Sequence, residues 1–292
     1  MSVVSAAPHR PIMTAAGLTP THEVSAVDEY GDSNTVQVAG ESPLTLKVDD
    51  REVVTLMTLG TCPEALALGY LRNQRLIEDI EQISEVRVNW DIETVFVTTK
   101  HGDGIIDWEE KLAHRTVTSG CGQGTIFSCT VDNIYNTRLP RVAVRQSDVY
   151  GLLAEISAYN EIYKQAGAVH GCALCEGTSI LNFVEDVGRH NAADAIAGEM
   201  WLAGTSGEDK WFYTTGRLTS EMVMKAAFMG VPVLLSRSGV TQMGLELANV
   251  VGMVMIARAK GRHFLVYNGA DQIEYDAIPQ RREKSVKAGL RQ

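Results

Sequence analysis

The chain has 292 residues, 45% hydrophobic and 21% charged, a composition that describes a globular protein with core enough for one large domain or two modest ones. A formal net charge of −10 argues against a general nucleic-acid or membrane-surface binder but leaves room for a local basic pocket around one anionic ligand. Five cysteines cannot complete a disulfide framework, no stretch approaches the apolar length that crosses a bilayer, and no secretory pattern opens the chain, so a cytoplasmic protein without a membrane anchor is expected.

Residues 1–41 are rich in Ala, Ser, Thr, Pro and Gly without an apolar period, and are expected to form a flexible leader. Leu44, Leu46 and Val48, then Val53 to Met57, alternate on either side of Asp49-Asp50 and predict a β-hairpin. Pro63, with Glu64 behind it, starts a predicted helix that runs to Ile77. Val86-Val88 and Val95-Val97 predict a second antiparallel pair, which makes residues 42–145 a β-rich subdomain ending in a cysteine-bearing loop. Ser147-Asp148 then cap a helix whose stripe is Val149, Leu152, Leu153, Ile156, Tyr159, Ile162 and Tyr163, ended by Gly167.

From Ser179 onward short apolar runs alternate with helical patterns. The runs begin at Ser179, Trp211, Val231, Met253 and Phe264, and the first three lead into helices. That alternation predicts an α/β core of layered sheet and helices over residues 146–279, with ligands at the loops leaving the strand ends. Residues 280–292 carry five cations with few apolar partners and are read as a solvated basic tail, the alternative being a contact for an acidic partner.

Chemistry concentrates in loops. Thr116 to Cys129 holds two cysteines and three glycines and no charge, and reads as a mobile loop presenting sulfur. Cys121, between Gly120 and Gly122, has little cover and suits a nucleophile if a cation or helix start lowers its thiol pKa; an ordinary turn is the alternative. Three strand-to-helix turns follow: Asp186-Val187-Gly188-Arg189-His190, Thr215-Gly216-Arg217-Leu218-Thr219, and Ser236-Arg237-Ser238-Gly239. Each joins an Arg and a Gly to a helix start, where free N–H groups suit a phosphate, so together they point to an anionic, nucleotide-like ligand; a well-capped helix with an exposed Arg is the plainer reading of the first. Arg258, Lys260, Gly261, Arg262 and His263 add a fourth basic turn, or else a solvated hairpin. Cys172 and Cys175 read as buried strand cysteines, with half a zinc site or a redox pair as alternatives. No metal site is expected.

The stretches PEALALGYL at 63–71, TSGCG at 118–122, EDVGRHNAADAIAG at 185–198, TTGRLTSEMVMKA at 214–226, GVPVLLSRSGVTQMGLELA at 230–248 and GRHFLVYNG at 261–269, with Val169-His170, run in one order over nearly everything after residue 42. In this the chain resembles the FdhD/NarQ family of formate dehydrogenase accessory proteins. The resemblance implies a homodimer with a core of layered mixed sheet similar to cytidine deaminases. It also implies a sulfurtransferase that takes persulfide sulfur from a cysteine desulfurase. The acceptor would be the molybdenum cofactor, bis molybdopterin guanine dinucleotide, destined for the catalytic subunit of formate dehydrogenase. Cys121 would then be the persulfide carrier, and Arg189, His190, Arg217, Ser236, Arg237, Arg258, Lys260, Gly261, Arg262 and His263 would be cofactor contacts. The family loop reads Cys-x-x-Cys-Gly, and Gly124 stands here at the second cysteine, with Cys129 a candidate substitute. A cofactor chaperone without efficient sulfur transfer is the second reading. A zinc-dependent deaminase-like hydrolase using Cys172, Cys175 and His190 is the third, although the sequence patterns of those enzymes are missing.

Overall fold

The computed structural model describes residues 9–102, 104–106, 108, 115–118, 124–127 and 134–280, with the backbone alone described at 115–118 and 124–127. The N-terminal part contains β1 (Ile12–Met13), β2 (Thr21–Val27), β3 (Ser33–Ala39), β4 (Ser42–Val48), β5 (Arg51–Thr58), helix α1 (Pro63–Asn73), β6 (Ile83–Asn89) and β7 (Thr94–Thr99). Five of these strands form one sheet in the order β1-β6-β7-β4-β5. Both expected pairs are present: β4 with β5 and β6 with β7, each antiparallel.

The expected flexible leader is corrected from residue 9 onward. Strand β1 pairs in parallel with β6, and β2 pairs with β3 over seven residues each. The chain between is held by polar contacts that a search for apolar periodicity does not register. Glu64 Oε1 accepts from Thr14 Oγ1 at 2.6 Å and from Ala16 N at 3.0 Å, and Trp90 Nε1 donates to Ala16 O at 2.5 Å.

Helix α1 stops four residues before the expected Ile77, because Arg75 takes a left-handed conformation (φ 55°) and the amides of Leu76 and Ile77 turn back to Leu71 O. All its residues except Arg72 are buried, so it has no solvent face and is apolar nearly all round.

Two short strands, β8 (Arg115–Thr118) and β9 (Gly124–Phe127), pair antiparallel where a loop without strand character was expected. The C-terminal part contains β10 (Val144–Arg145), α2 (Gln146–Tyr159), α3 (Glu161–Ala166), β11 (His170–Glu176), β12 (Ser179–Asp186), α4 (Arg189–Ala203), β13 (Trp211–Thr214), α5 (Ser220–Phe228), β14 (Val233–Ser236), α6 (Gln242–Val251), β15 (Val254–Lys260), β16 (His263–Asn268) and β17 (Ile273–Glu274). The single helix expected up to Gly167 is broken at Asn160, whose side chain donates to Ile156 O at 2.9 Å. Its start is held by Asp276, which accepts from Ser147 N and Oγ, and not by a cap of its own.

A six-stranded sheet has the order β12-β11-β13-β14-β15-β16. Strands β13, β14 and β15 are mutually parallel, while β11 and β16 run against their neighbours, so the sheet is mixed, as expected. Period-two alternation sorts its side chains between two cores. Cys172, Leu174, Phe212, Leu234 and Met255 face α1, α4, α5 and α6, and join Leu46, Val86 and Val97 of the five-stranded sheet in one cluster. Ala173, Cys175, Tyr213, Leu235 and Ile256 face Val149, Leu152 and Ile156 of α2. The layers are therefore sheet, helices, sheet, helix. Among the described residues no helix is long and apolar enough to cross a membrane.

Helices α1 and α4 approach at backbone distance through two glycines. A Cβ on Gly69 would lie 1.6 Å from Asp194 O, and one on Gly198 would lie 2.0 Å from Ala65 O. Neither obstacle is a movable side chain, so Gly69→Ala and Gly198→Ala must each push the helices apart. We expect a loss of about 3 kcal/mol or more in urea unfolding, at the upper end of overpacking costs. A loss within about 0.5 kcal/mol, the range of ordinary surface changes, would show that the helices are not locked at this contact.

Candidate functional site at one sheet edge

Strands β12, β13, β14 and β15 end, and β11 and β16 begin, at the same edge of the six-stranded sheet. His170 stands opposite Asp186, Thr214 opposite Ser236, and Lys260 opposite His263. All four basic turns read from the sequence therefore lie along one edge, spanning about 24 Å at about 4.8 Å per strand step.

The turns are tied to one another by hydrogen bonds. Thr214 Oγ1 accepts from Gly216 N at 3.1 Å, and Thr215 N donates to Gly171 O at 2.9 Å. Ser236 Oγ donates to Gly216 O at 2.6 Å and accepts from Ser238 N at 2.9 Å. Leu218 N donates to Gly239 O, Thr241 N donates to Leu218 O, and Arg258 N donates to Ser238 O. Gly216 is required by close approach, since a Cβ there would lie 2.4 Å from Arg189 Cδ. Loops built this way hold their backbone N–H groups and side chains in fixed positions before a ligand arrives.

The charges that remain exposed are positive. Arg217, Arg237 and Arg258 are exposed, and no carboxylate among the described residues forms an ion pair with them. Arg237 lies over the Tyr163 ring at 5.7 Å and Arg262 over Tyr150 at 5.5 Å. Lys260, Gly261, Arg262 and His263 form the exposed tip of the β15–β16 hairpin, with Gly261 at φ 58°. This tip is the hairpin weighed above, and it sits on the same edge as the arginines.

Three of the expected contacts lie deeper than the exposed arginines. Ser236 is wholly buried, with its hydroxyl committed to the two turns it joins, so it positions the loops. His190 points into the helix layer, its Nδ1 3.3 Å from Glu221 Oε1. Arg189 is buried too, its side chain crossing Gly216, and its charge reaches the edge through its effect on His170. Asp186, expected to cap the helix start, accepts from Gly188 N and Asn191 Nδ2 with one oxygen and from Thr58 Oγ1 and Leu59 N with the other, tying the turn to the end of β5. Burial raises its pKa, against the lowering by those bonds. Glu185 accepts from the N–H groups of Ile162 and Tyr163 and fixes the start of α3.

Sequence reading missed two groups. His170 Nδ1 lies 3.2 Å from Thr215 Oγ1; burial, then the charges of Arg189, Arg217 and Arg237, push the imidazole below its ordinary pKa. Behind the edge, Lys225 Nζ lies 2.6 and 2.7 Å from the Asp194 oxygens and 3.8 Å from Glu221, and Asn73 Nδ2 donates to Asp194 at 2.8 Å. The signal was available in the spacing: His190 with Asp194, and Glu221 with Lys225, are four apart on helices otherwise apolar on that side.

Cys121 and Cys129 lie outside the described residues, so the sulfur-bearing loop is placed only by its sequence position beside β8 and β9. Cys172 and Cys175 are buried strand cysteines, as read. They face opposite sides of the sheet, and burial pushes each thiol up to about 12. They cannot share a metal or close on each other, and among the described residues no group of three metal-ligating side chains converges. The deaminase-like zinc reading with His190 therefore has no geometry to stand on.

Fold and site together define a class: a mixed α/β protein in which cations without carboxylate partners among the described residues gather where the strands of its larger sheet end. The chain belongs to the FdhD/NarQ family, whose model matches residues 39–274. Sulfur carrier protein FdhD of Bacillus subtilis is 27% identical over 248 residues, covering 84% of this chain and 94% of that protein. Its counterpart in Listeria monocytogenes EGD-e is 29% identical over 244 residues, covering 81% and 91%. A crystal structure titled as a formate dehydrogenase accessory protein of Desulfotalea psychrophila superimposes with a TM-score of 0.69 at 25% identity, covering 87% of this chain and 98% of that one.

Lys225→Met leaves the Asp194 carboxylate buried without its cation and should cost roughly 3–5 kcal/mol in urea unfolding, most of which Asp194→Leu in the same chain restores. If the double variant is no more stable than the single one, the pair is not the source of the loss. Burial, then the charges of Lys225 and Arg189, hold the His190 imidazole well below its ordinary pKa, so it is neutral in the fold. The unfolded chain takes up that proton below about pH 6.5 and the folded chain does not, so stability falls with pH there by up to about 1.4 kcal/mol per unit. His190→Gln should flatten that slope in unfolding measured between about pH 6.5 and 4.5; equal slopes in variant and wild type would contradict it.

Proposed function

We propose that this protein is a sulfur carrier for formate dehydrogenase maturation: Cys121 takes sulfur from a cysteine desulfurase and passes it to the molybdenum cofactor, bis molybdopterin guanine dinucleotide, bound as substrate along the basic sheet edge. The observation that carries the reading is the convergence of Arg217, Arg237 and Arg258, without carboxylate partners among the described residues, on strand ends tied together by Ser236. A dinucleotide offers phosphates spaced along its length, and the row of turns offers guanidiniums spaced along the edge. The relatives named as sulfur carriers and the accessory-protein likeness support the same assignment.

The sulfur step on this chain is an exchange. The Cys121 thiolate attacks the outer sulfur of the desulfurase persulfide, the donor's sulfur–sulfur bond breaks, and the donor cysteine leaves as thiolate, with no net oxidation. Exchange of this kind suits a reducing cytoplasm. Arg217, Arg237, Arg258 and the hairpin tip Lys260 to His263 would hold the cofactor; Arg189, His190 and Ser236 shape the loops beneath it. The catalytic subunit of formate dehydrogenase is the recipient in this reading, a homodimer is the assembly, and kinship with cytidine deaminases concerns architecture only. The 1–41, 42–145, 146–279 and 280–292 division holds as a proposal about sequence segments, the first of them structured from residue 9.

One observation favours the chaperone reading. Gly124, at the second cysteine position of the family loop, is paired in strand β9 opposite Thr118, so no thiol is available there to release the sulfur. The two readings separate when purified protein is incubated with a cysteine desulfurase and free cysteine, and added sulfur is mapped by intact and peptide mass spectrometry. The carrier reading expects one reductant-sensitive sulfur atom on Cys121, none on a Cys121→Ser variant, and no formate dehydrogenase maturation by that variant. A bare Cys121 under conditions that load a Cys-x-x-Cys relative, or full maturation by Cys121→Ser, would overturn it in favour of the chaperone.

A further inference from the structure

We propose that the cavity bounded by Asn160, Tyr163, Val169, His170, Thr215 and Arg237 is a subsite for a single phosphate-class oxyanion, which takes up a proton on His170 as it binds. The inference rests on the anionic-cofactor reading above and narrows it to one place and one pair of side chains, His170 and Arg237.

The cavity holds about 220 Å³. That is below the roughly 300–1,000 Å³ of pockets for drug-sized ligands, so it fits one group of a larger ligand and not a dinucleotide. Its walls come from four elements: the α2–α3 break, the start of β11, the turn after β13 and the turn after β14. Arg237 lies over the Tyr163 ring at 5.7 Å and bonds to the Tyr213 side chain, two contacts that hold its guanidinium at the cavity wall with N–H groups to spare for an acceptor. Thr215 Oγ1 accepts from Gly171 N at 3.1 Å and lies 3.2 Å from His170 Nδ1, so the imidazole is held by its Nδ1 side.

The charges around His170 all favour an anion. Arg189 approaches from α4, Arg217 from the β13 turn and Arg237 from the β14 turn, while His190, also on α4, is neutral. The nearby carboxylates are already committed: Asp186 to Thr58, Leu59, Gly188 and Asn191, and Glu185 to Ile162 and Tyr163. Burial, and then these guanidiniums, lower the pKa of the imidazole. A phosphate reverses the sign of the local field, and the imidazole then gains more from its proton than it loses. Binding and protonation are therefore linked, and affinity rises as pH falls.

The test titrates the full-length protein with inorganic phosphate and, separately, with guanosine diphosphate, by calorimetry and by the ring resonances of His170. Phosphate is expected to raise the His170 titration midpoint and to bind more tightly at lower pH. Arg237→Gln should weaken phosphate binding about tenfold or more, as loss of a charge-assisted hydrogen bond does. Thr215→Val, which leaves the guanidinium in place, should lower the coupling to His170 and serves if Arg237→Gln fails to fold. Arg141→Gln, at an exposed arginine paired with Asp271, should bind as wild type. A nucleoside diphosphate that binds more tightly than phosphate and competes with it makes the ligand's own phosphate the occupant; equal affinities make free phosphate the occupant. A His170 midpoint unmoved by phosphate, or wild-type phosphate affinity in Arg237→Gln, overturns the proposal. Sulfur loading of Cys121 in the same wild-type preparation is scored independently: its failure removes the carrier reading and leaves the subsite standing.

Discussion

The backbone contact between α1 and α4 is the constraint on which the remaining arrangement depends. Gly69 and Gly198 face carbonyls across it at distances that admit no side chain, so the two helices meet in one register only. Helix α1 rests against β6 and β7 of the smaller sheet, and α4 lies against β11 and β12 of the larger one. Fixing one helix on the other therefore fixes sheet on sheet. It also fixes the first residue of α4, Arg189, whose side chain crosses Gly216 at the edge where the basic turns gather. A contact in the middle of the molecule thus sets a position at its functional rim.

The buried ions between the helices belong to the same arrangement. Asp194 and Lys225 are almost wholly enclosed, and an ion pair in that position adds little stability over a well-packed apolar pair. What it adds is direction. Asn73 on α1, Asp194 on α4 and Lys225 on α5 bond only when the three helices are correctly rotated, and Glu221 with His190 repeats the requirement one turn nearer the site. Helices α4 and α5 are the two that begin at the turns carrying Arg189 and Arg217. Their rotation decides where those turns point, which gives a physical reason for polar residues in an otherwise apolar layer.

Much of this was legible in the sequence because local pattern and local structure agree. Period-two runs gave β4 to β7, and strand-then-helix alternation gave the three crossovers that bring Asp186, Thr214 and Ser236 to one edge. The errors fall where a distant residue overrides the local pattern. Around Thr14 and Ala16 the partners are Glu64 and Trp90, far along the chain, and β2 and β3 hold to each other as an exposed pair without a buried apolar face. Arg75 ends α1 through a left-handed backbone that no side chain announces. At the site, residue type named the cations that line the edge but not their depth. Ser236 has the chemistry of a ligand contact and is wholly buried, His190 turns toward Glu221, and His170, at the start of the strand that carries Cys172 and Cys175, sits among the arginines.

Net charge and local charge answer different questions in this molecule. With −10 overall the surface repels polyanions at a distance, which sets it against indiscriminate binding of nucleic acid. At physiological salt that repulsion is screened beyond about 8 Å, so a ligand in contact with Arg217, Arg237 and Arg258 responds to those groups and hardly to the acidic remainder. Desolvation would strengthen such a contact, because Arg237 lies over the Tyr163 ring and its neighbours in the cavity are partly withdrawn from water. Selection by such a site is therefore geometric. Under the proposed function, an anion whose charges match the spacing of the turns would be held, and one that must spread its charge along the surface would meet the acidic field instead.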